Sequence, residues 1–114
     1  MTMAYSEFLV DRVRSRMPSK YLIEEKKMMG GLIFMVNSKM CVGIDKDKHS
    51  GDDRLMVRVG KLAYEDLLHQ KGCRKMDFTG REMKGFLFVY PEGIDADEDF
   101  EFWISKALEF NEAL

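Results

Sequence analysis

The sequence has few of the residues on which small metal-binding and secreted proteins depend. Its 114 residues include only two cysteines, two histidines and two prolines. Cys41 and Cys73 have no nearby cysteine or histidine neighbour, so neither a zinc site nor a redox CxxC motif is indicated. We therefore expect two buried, reduced thiols, no metal site and no cofactor.

Long apolar stretches are also missing. The longest uncharged run, residues 28–38, contains two glycines and falls well short of the roughly 20 residues that span a bilayer. The first residues have neither the basic segment nor the apolar stretch of a secretory signal. The sequence therefore predicts a protein that does not bind membranes and works in the cytoplasm.

The overall composition is that of one folded domain. Apolar residues make up 46% of the chain and charged residues 33%, which suffices for a real core. The length suits one domain over residues 1–114, and no repeat, linker or low-complexity tract divides it. The net charge of −2 argues against a protein that coats duplex nucleic acid by bulk electrostatics.

Three segments have the periodicity of amphipathic helices. Apolar residues recur at every fourth position in residues 4–17, and Pro18 ends that pattern. The apolar residues within residues 61–70 have near-helical spacing, and Gly72, a typical residue just beyond a helix end, follows them. Within residues 97–112, apolar residues recur at intervals of three and four positions. Acidic residues occupy the first turn of this segment, where the helix dipole favours them.

The segments between these helices have the pattern of five strands. Residues 21–24 alternate, and Gly30-Gly31 before the apolar residues 32–36 predicts one long strand with a bend. Asn37-Ser38 then indicates a tight hairpin. The remaining strands are predicted at residues 40–44, 55–59, 74–78 and 85–90. The expected fold is α+β: a two-layer, antiparallel five-stranded sheet in the order α-β3-α-β2-α, with the three helices on one face.

No segment has the pattern of a catalytic or metal-binding motif. Residues 45–54 are charged or small and begin like a calcium loop, but Ser50 and Met56 stand where glycine and glutamate are needed. A solvated loop is therefore favoured. His49 and His69 could act as general bases, yet neither accompanies a nucleophile in a recognisable motif. We expect no catalytic residues and no enzyme activity.

Basic residues are concentrated in the middle of the chain. Residues 58–84 contain seven cations and four carboxylates, whereas the last helix is acidic. This basic segment is either an ordinary solvated surface or a contact surface. Met56 is out of phase with the apolar residues beside it, which favours a contact role, because methionine adapts to partner surfaces. The candidate interaction surface consists of Met56, Arg58, Arg74, Lys75, Arg81 and Lys84.

Several segments resemble one known family. Residues 27–40, KMMGGLIFMVNSKM, are similar to the TfoX/Sxy N-terminal pattern: a Met-Phe-Gly-Gly core, an apolar strand, an Asn-Gly-like turn and Lys-Met. Met29 stands in place of the usual Phe, and Ser38 in place of the turn Gly. Residues 55–60 and 76–86 resemble the later strands of the family, particularly in short stand-alone members. The similarity extends over nearly the whole chain.

This resemblance implies a two-layer fold similar to secretion-chaperone-like domains. The family is known for regulators that cooperate with the cyclic-AMP receptor protein in transcription of competence genes, and no catalytic residues are established for it. The resemblance therefore implies a non-enzymatic interaction module in transcriptional regulation that acts through a protein partner. Two alternatives stay open: contact with nucleic acid through residues 58–84, and an uncharacterised enzyme.

We also expect a homodimer. Three helices barely cover one face of the sheet, so part of the other face, or an edge strand, should remain exposed. Met56 and the aromatic residues of the last strand, Phe86, Phe88 and Tyr90, leave apolar area on both faces. Self-association would bury that area symmetrically, as is common for small proteins. Folds similar to secretion chaperones often pair as well, which supports the same expectation by analogy.

Overall fold

The computed structural model describes residues 5–28, 30–78 and 80–114. Within these ranges there are three α-helices: α1 (Glu7–Arg14), α2 (Lys61–Leu67) and α3 (Asp97–Ala113). The strands are β1 (Ile23–Met28), β2 (Gly31–Val36), β3 (Lys39–Lys46), β4 (Asp53–Arg58), β5 (Cys73–Phe78) and β6 (Arg81–Val89). No helix in these ranges has both the length and the apolar character needed to cross a bilayer.

The described strands form one antiparallel sheet in the order β1-β2-β3-β4-β6-β5. The buried apolar residues of all three helices belong to a single core, which they share with one face of this sheet. In α3 these residues include Phe100, Trp103 and Ile104, and in α1 they include Val10 and Val13. The α+β class and the three predicted helices are therefore confirmed.

The prediction of five strands is wrong, because the first predicted strand is two strands. Residue 23 lies opposite residue 36, and residue 28 lies opposite residue 31, so the chain folds back instead of bending. Gly30 has φ of 78°, a left-handed conformation that suits a tight hairpin. Met29, the other residue at this reversal, lies outside the described residues. A glycine pair within a strand is also typical of a bend or bulge, which made this segment resemble one strand.

The hairpin predicted at Asn37-Ser38 joins β2 to β3. Both residues have positive φ, 51° and 70°, as the commonest two-residue hairpin turn requires. The Asn37 side chain accepts a hydrogen bond from the backbone N–H of Leu22 at 3.2 Å, and the Asn37 backbone N–H donates to the Leu22 carbonyl at 2.8 Å. The turn is thereby tied to the residue just before β1.

The charged segment 45–54 is only partly a loop. Strand β3 continues to Lys46 and β4 begins at Asp53, so residues 47–52 alone connect them. Asp45 lies opposite Arg54, and Lys46 lies opposite Asp53. Opposite charges on directly paired residues stabilise an antiparallel ladder, which extends these strands beyond their apolar parts.

Candidate interaction face

The two faces of the sheet are covered differently. The helices pack on one face, while the other, which we call the open face, carries a second, smaller apolar cluster without any helix residue. The buried members of this cluster are Ile33, Met56, Met76, Phe88 and Tyr90. Above it lies a cleft of about 660 Å³, bordered by the β1–β2 hairpin, the β3–β4 connection and β5. Its size is in the range of ordinary ligand-binding clefts.

Arginine side chains are stacked on the aromatic rings of the open face. The rings belong to β6 and to the residue that follows it, and the arginines come from the two neighbouring strands, β4 and β5. The distances from guanidinium carbon to ring centroid are 3.5 Å for Arg54 and Phe88, 5.3 Å for Arg58 and Phe86, and 4.1 Å for Arg74 and Tyr90. We call these three pairs the arginine ladder. Such stacking fixes the plane of a guanidinium group and leaves its N–H edges accessible.

Arg54 uses its N–H groups inside the molecule. Its Nε and Nη2 donate to the two carboxylate oxygens of Asp45 at 2.8 and 3.1 Å, and its Nη1 donates to the Tyr90 hydroxyl at 2.8 Å. The Tyr90 hydroxyl in turn donates to Asp47 Oδ2 at 2.5 Å. The side chains of Arg54 and Asp47 are each only 14% exposed. Arg54 is thus a structural residue whose single positive charge is shared by two carboxylates.

The hydrogen bond from Tyr90 changes the acidity of Asp47. This bond, assisted by the backbone N–H of His49, holds the pKa of Asp47 at about 2. Burial, followed by the hydrogen bond to Asp47, raises the pKa of Tyr90 above its ordinary value. Both groups therefore keep fixed protonation states at neutral pH, Asp47 as a carboxylate and Tyr90 as a phenol, which fits an anchoring role at one end of the cleft.

Arg58 and Arg74 differ from Arg54 in one respect. Neither makes a hydrogen bond or an ion pair with another residue that the structure describes. Arg74 is exposed, and Arg58 is half-buried at the opposite end of the ladder. A guanidinium group has five N–H donors, so both side chains retain donors for an external partner.

The structure separates the six residues of the predicted interaction surface. Met56 lies on the open face as its phase implied, but its side chain is only 4% exposed. Its expected role as an exposed contact residue is therefore corrected: Met56 forms the floor of the cleft. Arg58 and Arg74 lie beside it on the same face, because β4 and β5 both pair with β6.

The other three residues of that surface lie elsewhere. Lys75 Nζ is 3.7 Å from Glu82 Oε1, and Glu82 accepts a hydrogen bond at 2.7 Å from Tyr64 of α2. Lys75 is thereby drawn toward the helix layer. Arg81 and Lys84 are exposed in the first half of β6, before the residues of the ladder.

The basic segment 58–84 does not form one continuous surface. Lys71 pairs with Asp99 of α3 at 3.3 Å, and Lys75 pairs with Glu82. The other cations of the segment are distributed over the open face, the start of α2 and the β5–β6 hairpin. A duplex backbone would meet these charges on different sides of the molecule, which weakens the nucleic-acid alternative.

Reactive side chains in the described parts of the chain do not assemble into a catalytic group. Burial raises the pKa of Cys41 and of Cys73 to about 12, so both thiols stay protonated at neutral pH and are poor nucleophiles. His49 lies beside the cleft, and His69 follows α2. Residues 5–28, 30–78 and 80–114 contain no cluster of three or more histidine, cysteine or acidic residues that could hold a metal ion.

Sequence reasoning missed the residues that organise this face. Asp45, Asp47 and Arg54 were assigned to a solvated loop, although they form the polar end of the cleft with Tyr90. One signal was present: the aromatic residues of β6 recur at every second position, which puts them on one face. The sequence does not show that β6 lies between β4 and β5, so it could not indicate which arginines cover these rings.

Comparison with known protein families gives a match. A family model for the TfoX N-terminal domain matches residues 20–111. This range contains all the described strands, α2 and most of α3, whereas α1 precedes it. No curated protein and no solved structure matches the chain.

Proposed function

Because the chain belongs to the TfoX N-terminal domain family, we propose that it is a regulatory module that acts in transcription by contacting a protein partner, without catalysis of its own. The family match over residues 20–111 carries this proposal. The protonated thiols support its non-enzymatic part, since a thiol with a pKa of about 12 does not supply a thiolate.

The composition of the open face supports a protein partner. Arginine, tyrosine, phenylalanine and methionine are the residue types enriched at protein interfaces, and this face combines all four. Arg58 and Arg74 keep N–H donors available for that contact. A partner would bind beside side chains that are already held in place, which lowers the entropic cost of association.

Single-stranded nucleic acid suits this face less well. Proteins that bind single strands stack bases on accessible aromatic rings. Here Phe88 and Tyr90 are only 9% and 5% exposed, because the guanidinium groups of Arg54 and Arg74 lie over them. The rings therefore offer little free stacking surface, and a protein partner is the better proposal.

The proposal is tested by identifying the partner. Tagged protein would be incubated with native lysate of cells that express it, and captured proteins identified by mass spectrometry. We expect a transcription regulator, and the purified regulator should bind this protein directly in isothermal titration calorimetry. Direct binding to oligonucleotides at low salt with no captured regulator would instead favour the nucleic-acid alternative. Capture of metabolic enzymes alone would contradict the proposed function.

A further inference from the structure

We propose that the open face binds an extended acidic segment, in which two carboxylates pair with Arg58 and Arg74 and an apolar side chain between them lies in the cleft. This inference rests on the proposed function, because the segment would belong to the protein partner. It specifies the chemistry of that partner: acidic residues in an extended stretch of chain that flank one apolar residue.

The first argument is the fixed orientation of the two arginines. Arg58 lies between Phe86, at 5.3 Å, and Phe110 of α3, at 5.6 Å, and Arg74 stacks on Tyr90 at 4.1 Å. Aromatic stacking holds the guanidinium plane and leaves the N–H edges that bind a carboxylate with two parallel hydrogen bonds. Neither arginine has a hydrogen-bonding or ionic partner within the described part of the chain, so binding would break no existing pair.

The second argument is the charge of the cleft. The chain as a whole carries a net charge of −2, yet cations outnumber carboxylates among the residues that line the cleft. The lining cations are Lys46, Lys48, Arg54, Arg74 and Lys75, and the lining carboxylates are Asp45, Asp47 and Asp77. Arg54 is shared by Asp45 and Asp47, while Lys46 pairs with Asp53 and Lys75 with Glu82. Lys48 and Arg74 have no carboxylate partner among the described residues, and an acidic segment is complementary to these two cations.

The third argument is the spacing of the two arginines. Arg58 lies opposite Phe86 on one side of β6, and Arg74 lies opposite Phe88 on the other side. The two arginines lie on strands two positions apart in the sheet, so their Cα atoms are about 10 Å apart across the strands. They are also offset by two residues, or about 7 Å, along the strands, which gives a Cα–Cα distance of roughly 12 Å. Residues four apart in an extended chain span about 13 Å.

The same spacing gives the reason for proposing an apolar residue midway between the two acidic residues. In an extended chain, residues two and four positions apart point to the same side. The middle residue would therefore face the region between the arginines, where Met56 and the Arg54 guanidinium group that covers Phe88 form the floor. A leucine-sized side chain there would pack against the Met56 side chain and the flat face of that guanidinium group.

A short peptide tests the inference. The probe is a fluorescein-labelled peptide, Ser-Glu-Ser-Leu-Ser-Glu-Ser, and its binding to the full chain is followed by fluorescence polarisation at low ionic strength. We expect saturable binding that weakens as salt is added. Arg58→Gln and Arg74→Gln should each weaken binding about tenfold, which corresponds to about 1.4 kcal/mol. The peptide with Gln in place of both Glu residues should not bind measurably.

Arg81→Gln is the matched control, since it makes the same change in charge on β6 away from the ladder. It should change the affinity less than about twofold, because surface charges outside the contact act only through screened fields. An equal loss in this variant would overturn the inference, as would equal binding of the Gln peptide or no saturable binding at all.

Two further variants guard against a loss of folding. Arg58→Lys and Arg74→Lys keep the charge but lose the planar fork, so they should weaken binding by a smaller, few-fold factor. Circular dichroism would verify that each variant is folded. If the peptide fails to bind while a transcription regulator is captured by the unmodified protein, the acidic-segment site is overturned and the regulatory function stands. If the peptide binds as expected and no regulator is captured, the site stands and the regulatory function fails.

Discussion

At the scale of single residues, Arg54 has the largest number of polar contacts on the open face. It contacts Asp45, Asp47 and Tyr90 and stacks on Phe88. The side chains of Arg54 and Asp47 are largely withdrawn from water. A charge in such a position is tolerated only when it is paired and hydrogen-bonded.

We expect Arg54→Met to destabilise the fold by about 2–4 kcal/mol, because it leaves two largely buried carboxylates without their cation. Urea unfolding followed by circular dichroism would measure this loss. Arg81→Met, at an exposed position, should change the free energy of unfolding by no more than about 0.5 kcal/mol. Equal effects of the two substitutions would show that the Arg54 network adds nothing to stability.

Asp47 should make stability depend on pH in the acid range. Its folded-state pKa of about 2 lies below its ordinary value of 3.8, chiefly because of the Tyr90 hydrogen bond. The ionised carboxylate therefore stabilises the fold above pH 3.8, and this contribution is lost as the pH falls toward about 2.

Carbon-13 NMR titration of the Asp47 carboxyl would measure that pKa directly. In Tyr90→Phe the hydroxyl donor is absent, so the pKa of Asp47 should rise toward its ordinary value. The free energy of unfolding should then fall less between pH 3.8 and about pH 2 than it does in the unmodified protein. If the pKa of Asp47 is the same in Tyr90→Phe and in the unmodified protein, the backbone N–H donors of His49 and Ser50, and not the Tyr90 hydroxyl, lower it.

At the scale of the elements, local patterns were sufficient to predict the helices and the Asn37-Ser38 hairpin. Helical periodicity and paired positive-φ residues are properties of neighbouring residues, so they can be read without knowing the sheet. The reversal at Gly30 was not predicted, because a glycine pair inside a strand is equally typical of a bulge. The extension of β3 and β4 was missed because it depends on which charges lie opposite each other.

The candidate site was predictable only in part. The phase of Met56 placed it correctly on the face opposite the core residues of β4, and Arg58 shares that phase. Their proximity to Arg74 depends on β6 lying between β4 and β5, an order that arises from long-range packing. Lys75 is separated from Arg74 because consecutive residues of a strand point to opposite faces: Arg74 pairs with Phe88, and Lys75 pairs with Leu87 of the core.

Gly31 should be the most restrictive position in the β1–β2 hairpin. A Cβ atom there would collide with the backbone carbonyl oxygen of Ile44 on the neighbouring strand. We expect Gly31→Ala to destabilise the fold by at least about 2 kcal/mol, since the sheet must separate locally to relieve the clash. Thermal and urea unfolding would measure the change.

Gly43→Ala is the comparison for this prediction. Its added Cβ would meet the ends of the Ile33 and Met56 side chains, 2.6 Å from Ile33 Cδ1 and 3.1 Å from Met56 Cε. Side-chain ends can move where backbone cannot, so Gly43→Ala should cost less than Gly31→Ala. The reverse order would show that the floor of the cleft is packed more rigidly than the hairpin.

At the scale of the whole molecule, we propose that the chain forms a homodimer. Large apolar side chains remain exposed on the helix layer, with Phe8 76% exposed and Leu62 fully exposed. A small protein gains free energy by covering such residues. Size exclusion coupled to light scattering should give twice the chain mass of 13.3 kDa. A mass near 13.3 kDa over a range of micromolar concentrations would contradict the proposal.

The two edges of the sheet restrict how any second chain can attach. Four of the six residues of β1 are charged, in the order Glu-Glu-Lys-Lys, and the other edge strand, β5, is interrupted by a register shift. Charges and irregularities at an edge oppose the addition of a further strand and the growth of fibrils. At high concentration the protein should therefore resist amyloid-type polymerisation, although its sheet is open at both sides.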